Sequence, residues 1–163
     1  MTREERLQQL EQTVQQLIEH IERLPADVLY RQPREGEWAV MSTLAHLAEL
    51  LPYWAHQADA IVRAPGRPFG RTHEDPDRIA AVERHGHDSL DAIVPRLRAS
   101  LDECLRTLRA LPAEAWQVAG LHATRGSMTV EQVVDAFLCS HAVEHAVQTQ
   151  ATLQALREKS EAT

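Results

Sequence analysis

The chain has 163 residues, enough for one domain with a core that folds alone. Its 44% hydrophobic and 25% charged residues are ordinary for a soluble globular protein, and a net charge of −7 argues against nucleic acid, which selects basic surfaces. No apolar run approaches the ~18 residues of a membrane span, and the N-terminal MTREERLQQLEQ lacks the apolar centre of a signal peptide.

The first predicted helix covers 3–24. Leu7, Leu10, Val14, Leu17, Ile18 and Ile21 recur at threes and fours, and Pro25 ends the run. After the loop LPADVLYRQPREGE, a second helix is expected from Trp38 to about Val62, kinked or divided at Pro52. The stretch 63–76, RAPGRPFGRTHEDP, is turn-rich. Asp75 followed by Pro76 reads as an N-cap opening a short helix over 76–84.

Beyond HGHD, a long helix runs from Ser89 to about Leu111, with Leu90, Ile93, Val94, Leu97, Leu101, Leu105 and Leu108 as its stripe. Pro95 falls in its first or second turn, where it costs least. The last helix opens with a capping box, Thr129 and Gln132, and continues to about Arg157, leaving 158–163 as a frayed tail. No segment shows the alternation of strands joined by hairpin turns. The fold class is therefore all-α, a helix bundle in one domain over residues 1–163. LPAD before the second helix echoes LPAE before the last, and two related helix pairs compete with chance as the reason.

The two cysteines, Cys104 and Cys139, are too few for a disulfide framework and read as small packed side chains. With the missing leader and membrane span, they make the cytoplasm the expected compartment. The unusual number is the nine histidines. On the last helix, counting by threes and fours from Val130, Val133, Val134, Phe137 and Leu138 lands on His141 and His145. At 100° per residue both lie within roughly 20° of Val134.

Neutral imidazoles on a core stripe need partners, and two readings meet that need. One is a pair of core histidines hydrogen-bonded to neighbouring helices; the other is a divalent metal held by the i, i+4 pair. His46 is the candidate third ligand, although it lies about 160° from Leu44 and periodicity does not single it out. His20 sits among polar residues, His56 follows Pro52, and His73, His85, His87 and His122 fall in connectors, where solvation is expected. Trp38, Trp54 and Trp116 read as core or interface anchors.

Glu37-Trp38-Ala39-Val40, His46-Leu47 and MTVEQVVDAFLCSHAVEHAVQ together make the chain resemble the DinB/YfiT-like family over nearly its whole length. The resemblance implies a four-helix bundle with a long crossover connection, commonly a homodimer, with His46, His141 and His145 as ligands of a divalent metal, Zn²⁺ or Ni²⁺. It also implies a small-molecule substrate, and members with assigned chemistry look like transferases or isomerases that use bacillithiol or mycothiol as co-substrate. A hydrolase using activated water and a non-enzymatic bundle with a structural or vestigial metal site are the other readings.

HAVEH also matches the inverted zinc-protease motif H-x-x-E-H, in which the glutamate activates water. That motif draws a further acidic ligand from downstream, and only 18 residues follow His145. Glu144, the candidate catalytic residue, is read instead as a partner standing behind the ligands or as an exposed helix position. Cys139 lies about 140° from Val134, off the metal face, and neither cysteine is needed for catalysis.

Overall fold

The structure, a computed structural model, describes residues 1–162. Helix α1, Arg3–Glu22, opens on Thr2, whose side chain caps the Glu5 amide while Glu5 reaches back. All six residues of its predicted stripe are buried. Helix α2, Val40–Arg63, is apolar on more than one side because it has neighbours on more than one side. It is not divided at Pro52, contrary to one expectation, and stays helical through Arg63. Packing can offset the single lost backbone hydrogen bond when a helix is held along most of its length.

Helix α3, Pro76–His85, begins as predicted with Asp75 accepting from the Arg78 amide. Helix α4, Leu90–Ala110, carries Pro95 in its second turn. Helix α5, Val130–Val134, starts on the expected capping box between Thr129 and Gln132. A π-helical turn, Asp135–Cys139, joins it to α6, Ser140–Glu161. The tail expected to fray from residue 158 is helical as far as Glu161.

The long helices form a four-helix bundle. Helix α1 packs against α4 and α6, and α2 packs against the same two, so α1 and α2 stand at opposite corners. The connections α1–α2 and α4–α5 must therefore both cross an end of the bundle. Each begins with the same device: LPAD leads into a 3₁₀ turn at Ala26–Tyr30, and LPAE into one at Ala113–Gln117. The sequence echo thus coincides with two equivalent crossings.

The absence of strands is corrected. Strand β1, Pro68–Phe69, pairs in parallel with β2, Ala119–His122, which pairs antiparallel with β3, Gly126–Thr129. Strands of two to four residues are too short to display a period of two. This small sheet ties the segment after α2 to the connection before α5. Among the described residues no helix is long and apolar enough to cross a membrane.

Candidate metal centre

Three imidazoles meet between α2 and α6. His46 comes from the middle of α2 and is 1% exposed; His145 on α6 is 8% exposed; His141, one turn earlier, is half-buried. The Nε2 atoms converge, with His141 Nε2 3.0 Å from His145 Nε2 and 3.4 Å from His46 Nε2. One ligand atom from each histidine lies within 4.8 Å of the others. Two nitrogens on one tetrahedral ion, each at about 2.1 Å, stand about 3.4 Å apart, close to the two His141 separations, so the three histidines could hold a metal ion.

The atoms behind the cluster favour a cation. His141 Nδ1 is 3.2 Å from Glu144 Oε2, and His145 Nδ1 is 2.8 Å from Gln148 Oε1. When both Nδ1 atoms donate to these oxygens, both Nε2 atoms present lone pairs to each other, which is repulsive unless a cation lies between them. Glu144 is thus the partner behind His141, although its side chain is 69% exposed. His46 Nδ1 is buried and has no such partner.

Burial dominates the electrostatics. It pushes the His46 pKa down to about 2 and that of His145 to about 4, with the neighbouring histidines adding to the effect. His141 is lowered by burial too, with Glu144 opposing. At neutral pH all three are uncharged, the state in which an imidazole binds metal. The residues therefore fit a divalent ion: His46, His141 and His145 would hold it, with room for exogenous ligands.

Trp38 walls the cluster, edge-on to His46 at 5.3 Å and stacked over His145 at 6.3 Å. It is half-buried and lines a cleft instead of standing in the core, where the sequence places it with Trp54 and Trp116. Two clefts open beside the histidines. One, of about 190 Å³, includes His46, His141, Leu50, Trp54 and Phe137 in its lining. The other, of about 630 Å³, is bounded by Trp38, His145, Gln148 and Thr152, with Arg78 on the walls of both.

The helical arithmetic that put His141 and His145 on the Val134 stripe assumed an unbroken α-helix. The π turn at Asp135–Cys139 adds the equivalent of one residue and displaces everything beyond it by roughly 100°. The buried face of α6 therefore runs through Ala142, His145, Thr149 and Leu153 rather than through His141 and Gln148. Arg6 of α1 brackets the turn, pairing with Glu131 at 2.8 Å and Asp135 at 2.7 Å.

Of the remaining histidines, His20, His73 and His87 are exposed, and His56 and His85 pair with Glu103 and Asp88. His122 is the exception, because the sheet buries it against Phe69 and Phe137, behind the smaller cleft. The solvated position that the sequence suggests for it fails because it lies in a hairpin whose strands are too short to show a period. Gln148 was missed as a partner, yet the tandem HAVE-HAVQ states it: each histidine has an acceptor three residues on. Replacing Glu144 or Gln148 by Ala is expected to weaken Zn²⁺ binding by about 10- to 100-fold, measured by competition with a chromogenic chelator.

A family model, the DinB superfamily, matches residues 9–149. Among solved structures, the chain resembles YfiT from Bacillus subtilis, described as a probable metal-dependent hydrolase with an unusual four-helix bundle topology. The TM-score is 0.72 at 17% identity, covering 91% of this chain and 86% of that one. It also resembles a mycothiol-dependent maleylpyruvate isomerase, with a TM-score of 0.70 at 17% identity over 90% of this chain. The chain spans 60% of that isomerase's length. A four-helix bundle protein, TT2238, gives a TM-score of 0.67 at 18% identity, covering 92% of this chain and 99% of that one. No curated protein matches the chain.

Proposed function

The chain belongs to the DinB superfamily, and from that premise we propose that it is a divalent-metal-dependent enzyme, an S-transferase or isomerase that uses a low-molecular-weight thiol on a small electrophile. The observation that supports the metal in this reading is the convergence of three Nε2 atoms, with Glu144 Oε2 and Gln148 Oε1 placed behind His141 and His145 where they can accept from Nδ1. Zn²⁺ and Ni²⁺ both suit three imidazoles. Bound there, such an ion lowers the pKa of a thiol or water that reaches it.

The protein's own residues do the rest. Glu144 and Gln148 orient the imidazoles, and Trp38 fixes the rings of His46 and His145 from the side. Trp54 and Phe137, stacked at 4.0 Å, form an apolar wall to the smaller cleft and keep water from that side. The protein supplies no thiolate of its own. Burial raises the Cys104 thiol to about 12 and the Cys139 thiol to about 11. In this reading the nucleophilic sulfur comes with a co-substrate, and a cleft of about 630 Å³ has the size to admit one.

The test is turnover of an electrophilic chromogenic substrate with and without bacillithiol or mycothiol, on zinc-loaded, nickel-loaded and metal-free protein. The expected result is activity only where thiol and metal are both present. Activity with metal alone would make it a hydrolase, and metal binding with no turnover under any condition would leave a binding module.

A further inference from the structure

We propose that Arg78 anchors a carboxylate of the ligand that fills the clefts, which makes the substrate or co-substrate a small carboxylate-bearing molecule. The inference rests on the metal-dependent reading above and names the ligand class for the same site. Arg78 is the third residue of α3 and lines both clefts, so it lies between the His46/His141 side and the His145 side of the centre. Its guanidinium carbon sits 5.4 Å from the centre of the Trp38 ring, and Nη1 donates to the His73 carbonyl at 2.9 Å. Among the described residues it forms no ion pair.

Arg71, from the same α2–α4 connection, shows the contrast. It is 8% exposed, bonded to Glu49 at 2.6 Å and to Asp75 at 3.5 Å, and stacked 3.7 Å over Tyr53. Its charge is answered within the fold, and it serves the structure. Arg78 is partly buried, which with Arg71 nearby pushes its pKa below the ordinary arginine value.

A charge balance points the same way. Three neutral histidines would leave the charge of a bound divalent ion uncompensated by its ligands. The acidic group touching the cluster is Glu144, which is largely in solvent. The nearby charges of Arg71 and Arg78 are balanced by Glu49 and Asp75, but both acids are bonded to Arg71, which leaves the Arg78 guanidinium with donors that no carboxylate takes; a guanidinium fork matches a planar carboxylate with two parallel hydrogen bonds.

A matched pair of probes tests this by calorimetry on zinc-loaded protein: 3-mercaptopropionate and its uncharged amide, 3-mercaptopropionamide. Wild-type protein should bind the carboxylate about 10- to 100-fold more tightly than the amide. In Arg78→Met that ratio should fall to about one, with zinc content, helicity and amide affinity retained; in Arg78→Lys it should be intermediate. Arg78→Lys keeps the charge on α3 and gives a second reading should the methionine variant fold poorly. An unchanged ratio in both variants, with zinc and amide bound as in wild type, overturns the role of Arg78 and leaves the metal centre standing. Failure of wild-type protein to take up zinc overturns the metal-dependent reading and this inference with it.

Discussion

His145→Ala is expected to purify without metal, while untagged wild-type protein carries about one equivalent of Zn²⁺ or Ni²⁺ by elemental analysis. His145 supplies one of three nitrogens, and its Nε2 is the closest neighbour of His141 Nε2, at 3.0 Å. Loss of a residue behind a ligand costs about 10- to 100-fold in affinity, and loss of the ligand itself should cost more. Saturating zinc should therefore raise the unfolding free energy of wild type, by about 2.7 kcal/mol at 100 times the dissociation constant, and leave that of the variant unmoved. Full metal in the variant would remove His145 from the centre.

The same variant tests the electrostatics. In metal-free folded protein His46 titrates at about 2 and His145 at about 4, against an ordinary value of 6.5. As pH falls below 6.5 the unfolded chain takes up protons that the folded state refuses, so stability falls. The loss is up to about 1.4 kcal/mol per pH unit for each such histidine, and the share from His145 ends near its folded value. Removing His145 should make the decline between pH 6.5 and 4 shallower. An identical slope in both metal-free proteins would mean that His145 is not held neutral by burial.

Gly70→Ala should destabilise the protein by about 2–5 kcal/mol, measured by chemical denaturation. Gly70 has φ +83°, a region that costs a residue with a Cβ about 1–2 kcal/mol. An added Cβ would also stand 2.8 Å from His122 Cδ2, 3.1 Å from His122 Nε2 and 3.2 Å from Trp54 Cη2. These rings belong to the aromatic layer behind the smaller cleft, so the overpacking cost of about 1–3 kcal/mol falls on the wall of the site. Gly66→Ala is the control: its φ is +76°, but nothing lies within 4 Å of the added atom. It should show the backbone cost alone. Equal losses in the two variants would mean that the layer yields freely around Gly70.

The residues of the bundle were legible because each long helix carries its own evidence. The α1 stripe, the Asp75–Pro76 start of α3 and the Thr129–Gln132 capping box are local patterns, and local hydrogen bonds and burial periodicity produce them directly. The small sheet was not legible, because strands of two to four residues depend on the partners that the fold brings to them. His122 was misplaced for that reason: its burial comes from Phe69 and Phe137, both distant in sequence. Periodicity did not single out His46 either. Helix α2 is covered on several sides, so it offers no single polar face against which an inward histidine stands out.

What the sequence determined by itself was the long helices, the caps at Asp75 and Thr129, and the i, i+4 spacing of His141 and His145 with an acceptor three residues after each. These follow from backbone geometry within one helix, where neighbours in sequence are neighbours in space. What only the tertiary structure decided was the direction in which those residues face and what they meet. The π turn re-aims α6 by roughly 100°, the diagonal arrangement of α1 and α2 brings α2 against α6, and α3, in the α2–α4 connection, carries Arg78 to the clefts. A site shared by three separate elements depends on packing between them, and that packing is stabilised by contacts far apart in the chain, which no local pattern records.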